Sequence, residues 1–185
     1  SLNGRCISGE KVFAAGRAGE PPAAALSEAL RGLGFELGRL KTGTPARLDR
    51  DTIDWGFAAV QPGSPAPLFF SDEARRAFEA LPEQPAPWRH QVPCHLVHTT
   101  PGTHEIIRAN LHRAPMFNGL IEGTGPRYCP SIEDKIVRFA EKESHQLFLE
   151  PEGLHTREIY VQGANTSLPE DCLLYTSDAA DDLTR

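Results

Sequence analysis

The chain has 185 residues, enough for one globular domain with a core, and carries a formal net charge of −6 with four cysteines. This acidic balance argues against a surface that binds nucleic acid throughout, although a local basic stripe is compatible with it. No apolar run is long enough to cross a bilayer, the first residues lack signal-peptide features, and the cysteines have neither disulfide nor zinc spacing. These patterns predict a cytoplasmic protein with reduced thiols and no membrane contact.

The first predicted elements are a weak strand over 5–13, a Gly- and Pro-rich turn over 16–22 and a short helix. Three leucines, at positions 26, 30 and 33, share one helical face, and Gly34 stands where a left-handed C-terminal cap falls. The pattern predicts a packed amphipathic helix. Because the chain opens without Met in the middle of this strand and turn, we expect it to be an internal piece of a longer protein.

A strand over 35–40 is predicted to run into the polar loop 41–45, which suits ligand contacts. The following stretch, 61–88, reads as a surface excursion with one helix over 72–81, capped by Ser71. A strand over 92–99 and a helix beginning near Thr103 come next, and two strands, 145–149 and 158–162, close the predicted order.

The strongest local signal is the loop 123–131 followed by a helix predicted over 132–142. Ser131 and Asp134 form a capping signal, and the glycines, Arg127 and Lys135 suggest a helix start with free amides that receives a phosphate or carboxylate. The alternative is a tight turn with a surface arginine.

Cys129 is the best nucleophile candidate, because a nearby cation and a helix start lower a thiol pKa. The alternative is a small buried hydrophobe, which fits Cys94 even better. A Cys–His hydrolase pair also stays open, with no partner selected by the sequence. The histidines at 95, 98, 104 and 112 do not favour a metal, since His95 and His98 fall on opposite faces of a strand.

Two long motifs, GRLKTGTP at 38–45 and GPRYCPSIEDKIVRF at 125–139, resemble the MnmG (GidA) family of tRNA wobble-uridine modifying flavoproteins. Shorter matches, such as GRAGEPP at 16–22 and FLEPEG at 148–153, extend the resemblance over residues 1–171 in one register. A GxGxxG fingerprint for an FAD pyrophosphate is absent from this chain, so cofactor binding does not follow from spacing.

The resemblance implies an enzyme that uses FAD, NADH and a methylene-tetrahydrofolate co-substrate to add an aminomethyl-type group to carbon 5 of the tRNA wobble uridine. It also implies an MnmE-type GTPase partner and a homodimer. Cys129 matches a functionally important cysteine, and Ala23 falls where some relatives place a serine against FAD. The segment that the resemblance assigns to nicotinamide-dinucleotide binding consists of Gly125, Pro126, Arg127, Tyr128, Cys129, Pro130, Ser131, Ile132, Glu133, Asp134, Lys135, Ile136, Val137, Arg138 and Phe139.

The resulting fold expectation is α/β: part of an FAD/NAD-binding domain of the two-dinucleotide type with an inserted α+β subdomain. Residues 1–48 and 146–171 are expected to belong to the FAD-binding domain and 49–145, with most of the segment 125–139, to the insert. Residues 172–185 depart from the family pattern and are expected to be disordered. We expect the piece to be inactive alone.

Two rival functions are a non-catalytic tRNA-binding module and the Cys–His hydrolase. The first is motivated by cations at positions 39, 41, 47, 127, 135 and 138.

Overall fold

The computed structural model describes residues 2–16, 19–80, 91–121, 123–125 and 130–173. The chain forms two compact units: residues 1–46, 99–145 and 163–185 make the first, and residues 47–98 and 146–162 make the second. The expected borders near residues 48 and 145 fall within two residues of two unit borders. Residues 99–145, expected in the insert, instead cluster with the first unit.

The second unit is built on a five-stranded antiparallel sheet. Its strands are β3 (Arg47–Asp49), β4 (Ala59–Gln61), β5 (Cys94–His98), β6 (Gln146–Pro151) and β7 (Glu158–Gln162), in the spatial order β3-β7-β6-β5-β4. Leu149 lies opposite Val161, and both are buried together with Ile159. These side chains alternate with more exposed ones along the strands, so one sheet face carries the core of this unit.

Within the described ranges, the first unit contains a hairpin and several helices. The hairpin pairs β1 (Arg5–Ser8) with β2 (Lys11–Ala14), and the helices are α1 (Ala24–Gly32), α3 (Pro101–Ala109) and α4 (Ile132–Arg138). The nine-residue helix α2 (Asp72–Ala80) belongs to the second unit. Ile107 of α3 and Ile136 of α4 are almost fully buried, so the contact between these two helices forms the core.

Several elements differ from their sequence-based prediction. The strand over 5–13 is a hairpin, and 35–40 makes only one bridge, from Leu40 to Thr124, with Leu40 84% exposed. Helix α3 begins earlier than expected because Thr100 caps it and Pro101 occupies its first turn. On α1, Leu26 and Leu33 are 52% and 75% exposed, so the predicted packing of this face is not found.

The mixed α/β character is confirmed, and both sheets in the described ranges are antiparallel. The two-dinucleotide type of the fold stays a prediction. Within those ranges, none of the helices has the length and apolarity that a bilayer crossing requires. Cys172, expected to open a disordered tail, is only 2% exposed, which corrects the start of that tail.

Candidate functional site

Three separate segments of the first unit meet around residue 125. Leu40 forms a parallel bridge with Thr124, where the Lys41 N–H donates to the Thr124 carbonyl (3.0 Å). A few residues on, Thr44 forms an antiparallel bridge with Thr166. The polar loop that the sequence singled out therefore lies between the glycine-rich loop at 123–125 and the stretch around residue 166.

The side chain of Lys41 lies across the backbone at Gly125. A Cβ placed on Gly125 would be 2.9 Å from Cε of Lys41 and 3.5 Å from its Cγ. A side chain at position 125 would therefore have to displace the lysine. Glycine at position 125 therefore allows the Lys41 side chain to lie this close to the backbone.

Helix α4 starts at the capping signal that the sequence predicted. The N–H of Asp134 donates to Ser131 Oγ (3.1 Å), and the Ser131 N–H donates to Asp134 Oδ2 (3.4 Å). The helix ends at Arg138, four residues before the predicted end. Phe139 is 46% exposed, so the apolar spacing that suggested a longer helix does not reflect burial at that position.

The first turn of α4 uses its amides inside the protein. The Ile132 N–H donates to the Asn165 carbonyl (2.7 Å), and the Asp134 N–H is occupied by Ser131. The expectation of free amides at this helix start is therefore wrong for both residues. Two acidic side chains in the same turn, Glu133 and Asp134, already occupy the positive end of the short helix.

Glu133 ties the start of α4 to the stretch 166–167. Its carboxylate is fully buried, and Oε1 accepts from Thr166 Oγ1 (2.8 Å) and from the Ser167 N–H (2.9 Å). The second oxygen, Oε2, has no hydrogen-bond partner in the described structure. These hydrogen bonds of Glu133 were not predicted, because the two partner residues lie more than thirty positions away in the sequence.

The remaining members of the segment 125–139 have several environments. Ile132 and Ile136 are core residues, Val137 and Phe139 are exposed, and Arg138 pairs with Asp134 (3.7 Å). Lys135, expected to strengthen an anion site, donates to the Gly163 carbonyl (2.7 Å).

Pro130, which precedes the cap of α4, is half-buried. Pro126, Arg127, Tyr128 and Cys129 lie outside the described residues, so the role predicted for Cys129 stays a prediction.

Helix α1 has the open N-terminus that α4 lacks. Its N-cap residue is Ala23, which provides no side-chain cap, and its first turn contains no acidic residue. Ala23 itself is exposed. Without a capping side chain, the first amides of this helix can donate to a ligand.

The cations that motivated a tRNA-binding module are mostly engaged. Arg39 donates to the Asn3 carbonyl, Arg47 pairs with Glu152, and Arg138 with Asp134. Of these six positions, Arg127 is outside the described part of the chain. Among the five described, only the Lys41 side chain has no hydrogen bond or ion pair. A continuous basic stripe is therefore not supported by these residues.

A buried histidine pair was missed by the sequence analysis. The rings of His104 and His145 stack with centroids 5.3 Å apart, and Thr99 Oγ1 is 2.7 Å from His104 Nε2. Burial lowers the pKa of both imidazoles, with Arg108 adding to the effect on His104. Their positions, 41 residues apart in sequence, gave no periodic signal for this contact.

Neither a metal site nor a thiol hydrolase gains support from the described residues. No group of three or more His, Cys, Asp or Glu within the described ranges could hold a metal ion. On β5, the His95 ring contacts the Trp55 ring at a tilted angle, and His98 lies three positions further along the strand, on the other face. Burial raises the pKa of the Cys94 and Cys172 thiols, which makes both poor nucleophiles.

A cavity of about 300 Å³ also lies in the first unit, between the β1–β2 turn and residues 169–171. Four of its charged side chains form two ion pairs, Lys11 with Glu170 and Arg113 with Asp171. Glu10 is a further charged residue of its lining.

The chain has a mixed α/β fold. Its glycine-rich and polar loops lie beside the capped helix α4. Residues 1–175 match the family model described as "Glucose inhibited division protein A", and the chain belongs to this family. The match reaches beyond Asp171, after which the sequence was expected to leave the family pattern.

The chain is similar to the tRNA uridine 5-carboxymethylaminomethyl modification enzyme MnmG of Roseiflexus castenholzii, with 61% identity over 184 residues. It is 53% identical to that of Bacillus subtilis over 170 residues. The aligned parts cover 92% of this chain but only 27% and 26% of those relatives, so the chain spans about a quarter of their length.

The structure is similar to that of Aquifex aeolicus GidA in its form I crystal, with a TM-score of 0.75 and 50% sequence identity. This likeness covers 95% of the chain and 29% of the Aquifex protein. The fold of the family is therefore retained over nearly the whole chain.

Proposed function

We propose that this chain is part of an FAD-dependent enzyme that, with a partner GTPase, adds an aminomethyl-type group to carbon 5 of the tRNA wobble uridine. The observation that carries the proposal is the family match over residues 1–175, together with 61% identity to a relative named for this modification. A tRNA substrate implies a cytoplasmic enzyme. The homodimer, the MnmE-type GTPase and the methylene-tetrahydrofolate co-substrate belong to the same proposal.

Within this function, the segment 125–139 is assigned to a nicotinamide dinucleotide, and Cys129 is the proposed catalytic residue. The donors beside the segment suit such a ligand, since Lys41 lies close to Gly125 and its ammonium makes no ion pair within the described ranges. When bound, NADH would supply a hydride to the flavin. The capped first turn of α4 acts in this proposal as a support for the loop that precedes it.

FAD is assigned to the part of the first unit around Ala23. Helix α1 there lacks a side-chain cap and first-turn acids, which suits an anionic group of a cofactor. The chain itself contains no GxGxxG stretch. We therefore expect the 185-residue chain, purified alone, to contain no stoichiometric FAD and to be inactive; tightly bound flavin in such a preparation would contradict this assignment.

A chimera tests the proposed activity directly. The matching part of the Bacillus subtilis relative is replaced by residues 1–171 of this chain, and the chimera is expressed in cells that lack their own enzyme. Mass spectrometry of tRNA nucleosides should then detect the carbon-5 modification. The same chimera with Cys129→Ser should restore far less of it. Equal modification by both chimeras would refute the role of Cys129, and a folded chimera that binds flavin but modifies no tRNA would refute the proposed activity.

A further inference from the structure

We infer that Lys41 is an anion-binding residue that holds the pyrophosphate group of a dinucleotide beside Gly125. This inference rests on the proposed function in one respect only, which is the identity of the ligand as a nicotinamide dinucleotide. The segment assigned to that ligand begins at residue 125 and does not contain Lys41.

The first argument is the state of the Lys41 side chain. The residue is half-buried, yet its ammonium makes no hydrogen bond or ion pair in the part of the chain that the structure describes. Its methylene carbons lie beside Gly125, where an added Cβ would be nearest to Cε. A lysine held in this way has already lost part of its rotamer freedom, so binding an anion costs less additional entropy.

Backbone donors of the same two loops are also unengaged in the described ranges. In the described residues, the N–H groups of Thr42, Gly43 and Gly125 donate no hydrogen bond. Gly43 and Gly125 are half-buried, and the bridge between Leu40 and Thr124 holds their two loops together. Amides and one ammonium at the junction of two glycine-containing loops are the donors that phosphate oxygens accept from.

The acidic side chains in the described part of the segment have partners other than Lys41. Glu133 and Asp134 are hydrogen-bonded to Thr166, Ser167 and Ser131. The Lys135 ammonium donates to the Gly163 carbonyl. Within the described ranges, the positive charge of Lys41 has no carboxylate partner.

Four variants of the 185-residue chain isolate this role. Lys41→Met removes the ammonium but keeps an apolar stem on Gly125, and Lys41→Arg keeps the charge. Gly125→Ala forces the lysine stem to move, since the new Cβ would be 2.9 Å from Cε. Lys11→Met is the matched control, because Lys11 lies in the same unit but pairs with Glu170.

Calorimetric titration with inorganic pyrophosphate, NADH and an anticodon stem-loop RNA gives the readout. We expect Lys41→Met to weaken pyrophosphate and NADH binding at least about tenfold, as for loss of a charged hydrogen bond. Gly125→Ala should weaken both similarly, and the double variant should be no weaker than either single one. Lys41→Arg and Lys11→Met should stay close to the unaltered chain. Melting curves by circular dichroism identify any variant that fails to fold, and Lys41→Met then decides alone.

Different results would contradict different parts of the inference about Lys41. Unchanged pyrophosphate binding in Lys41→Met, an equal loss in Lys11→Met, or no pyrophosphate binding by the unaltered chain would overturn the role of Lys41. Pyrophosphate binding that depends on Lys41, without NADH binding, would overturn the proposed dinucleotide and leave the anion site standing. A loss confined to the RNA would overturn the assignment to a dinucleotide and identify an RNA phosphate as the ligand.

Discussion

At the scale of single residues, Thr99 joins two parts of the first unit. Its hydroxyl oxygen accepts from the His145 N–H (2.8 Å), and its own N–H donates to the His145 carbonyl (3.0 Å). The same oxygen is hydrogen-bonded to the buried His104 ring. One side chain therefore satisfies polar groups on two segments, and its loss leaves more than one of them unpaired inside the protein.

Replacing Thr99 with valine should lower the free energy of unfolding by about 1–3 kcal/mol, because buried donors lose their acceptor while the shape is kept. Urea denaturation followed by circular dichroism measures the change. Thr99→Ser is the control, since it retains the hydroxyl, and it should cost less. Equal losses for valine and serine would show that the methyl group, and not the hydrogen bonds, matters at this position.

The stability of the first unit should fall as the pH is lowered below about 6.5. Burial lowers the pKa of His104 and His145 in the folded chain, and Lys135 and Lys142 add to the effect on His145 while Glu141 opposes it. The unfolded chain therefore binds more protons between its own pKa and the lowered folded values. The contribution of the two neutral imidazoles to the free energy of unfolding is fully present above the pKa of the unfolded chain. It declines as the pH falls and stops changing below the lowered pKa values of the folded chain.

The urea midpoint measured from pH 8 to pH 5 tests this pH dependence. His104→Asn should flatten the lower part of the curve, because one of the two titrating rings is gone. A midpoint that stays constant below pH 6.5, or the same slope in the variant, would contradict the assignment.

At the scale of elements, the β1–β2 turn depends on Gly9. The residue has a φ of 52°, its N–H donates to the Ser167 carbonyl, and a Cβ would lie 2.5 Å from Cβ of Pro169. The left-handed backbone and this contact both exclude a larger residue. The turn of the hairpin therefore packs closely on residues 167–169, and only glycine leaves room for this contact at position 9.

Gly9→Ala should destabilise the chain by about 2 kcal/mol or more, combining backbone strain with a steric clash. Thermal unfolding provides the measurement. Gly32→Ala is the matched control, because Gly32 ends α1 with no atom within 4 Å of an added Cβ, and it should be neutral or stabilising by up to about 1 kcal/mol. A Gly9→Ala chain as stable as the original would mean that the turn adjusts freely.

Local signals in the sequence were sufficient for the elements that depend on neighbours in the chain. Ser71 caps α2 and Ser131 caps α4 as predicted, since a cap involves residues three positions apart. The short strands β3 and β4 were not predicted, because three residues carry no period and are strands only through pairing with β7 and β5. The strand predicted from Phe35 to Leu40 failed for the opposite reason: its alternating apolar residues favour a strand, but in the described ranges the stretch makes a single isolated bridge.

The candidate site could be predicted only in part. The two glycine-containing loops were recognised from their residues, but the contact of Lys41 with Gly125 joins positions 84 apart and is a property of the fold. For the same reason, the engagement of the α4 amides by Asn165 could not be anticipated. Because these helix amides have partners within the protein, we propose the anion contact in the loop before the helix.

At the scale of the whole molecule, the chain consists of two units that the backbone enters more than once. The first unit takes three stretches of the chain and the second takes two, so the order of elements in sequence does not follow the units. The stretch 99–145 joins the first unit through contacts between residues far apart in sequence, which local patterns do not record. The loops that carry Lys41, Gly125 and Thr166 all belong to the first unit, so one unit contains the described part of the candidate site.

The central claim is that the segment 125–139 binds a nicotinamide dinucleotide next to a reactive Cys129. The most direct measurement is the rate at which N-ethylmaleimide modifies Cys129, followed by peptide mass spectrometry with and without NADH. We predict that NADH at ten times its dissociation constant slows this modification roughly tenfold, while Cys6, which is exposed in the hairpin, reacts at the same rate in both samples. Modification of Cys129 at an unchanged rate under saturating NADH would contradict the claim.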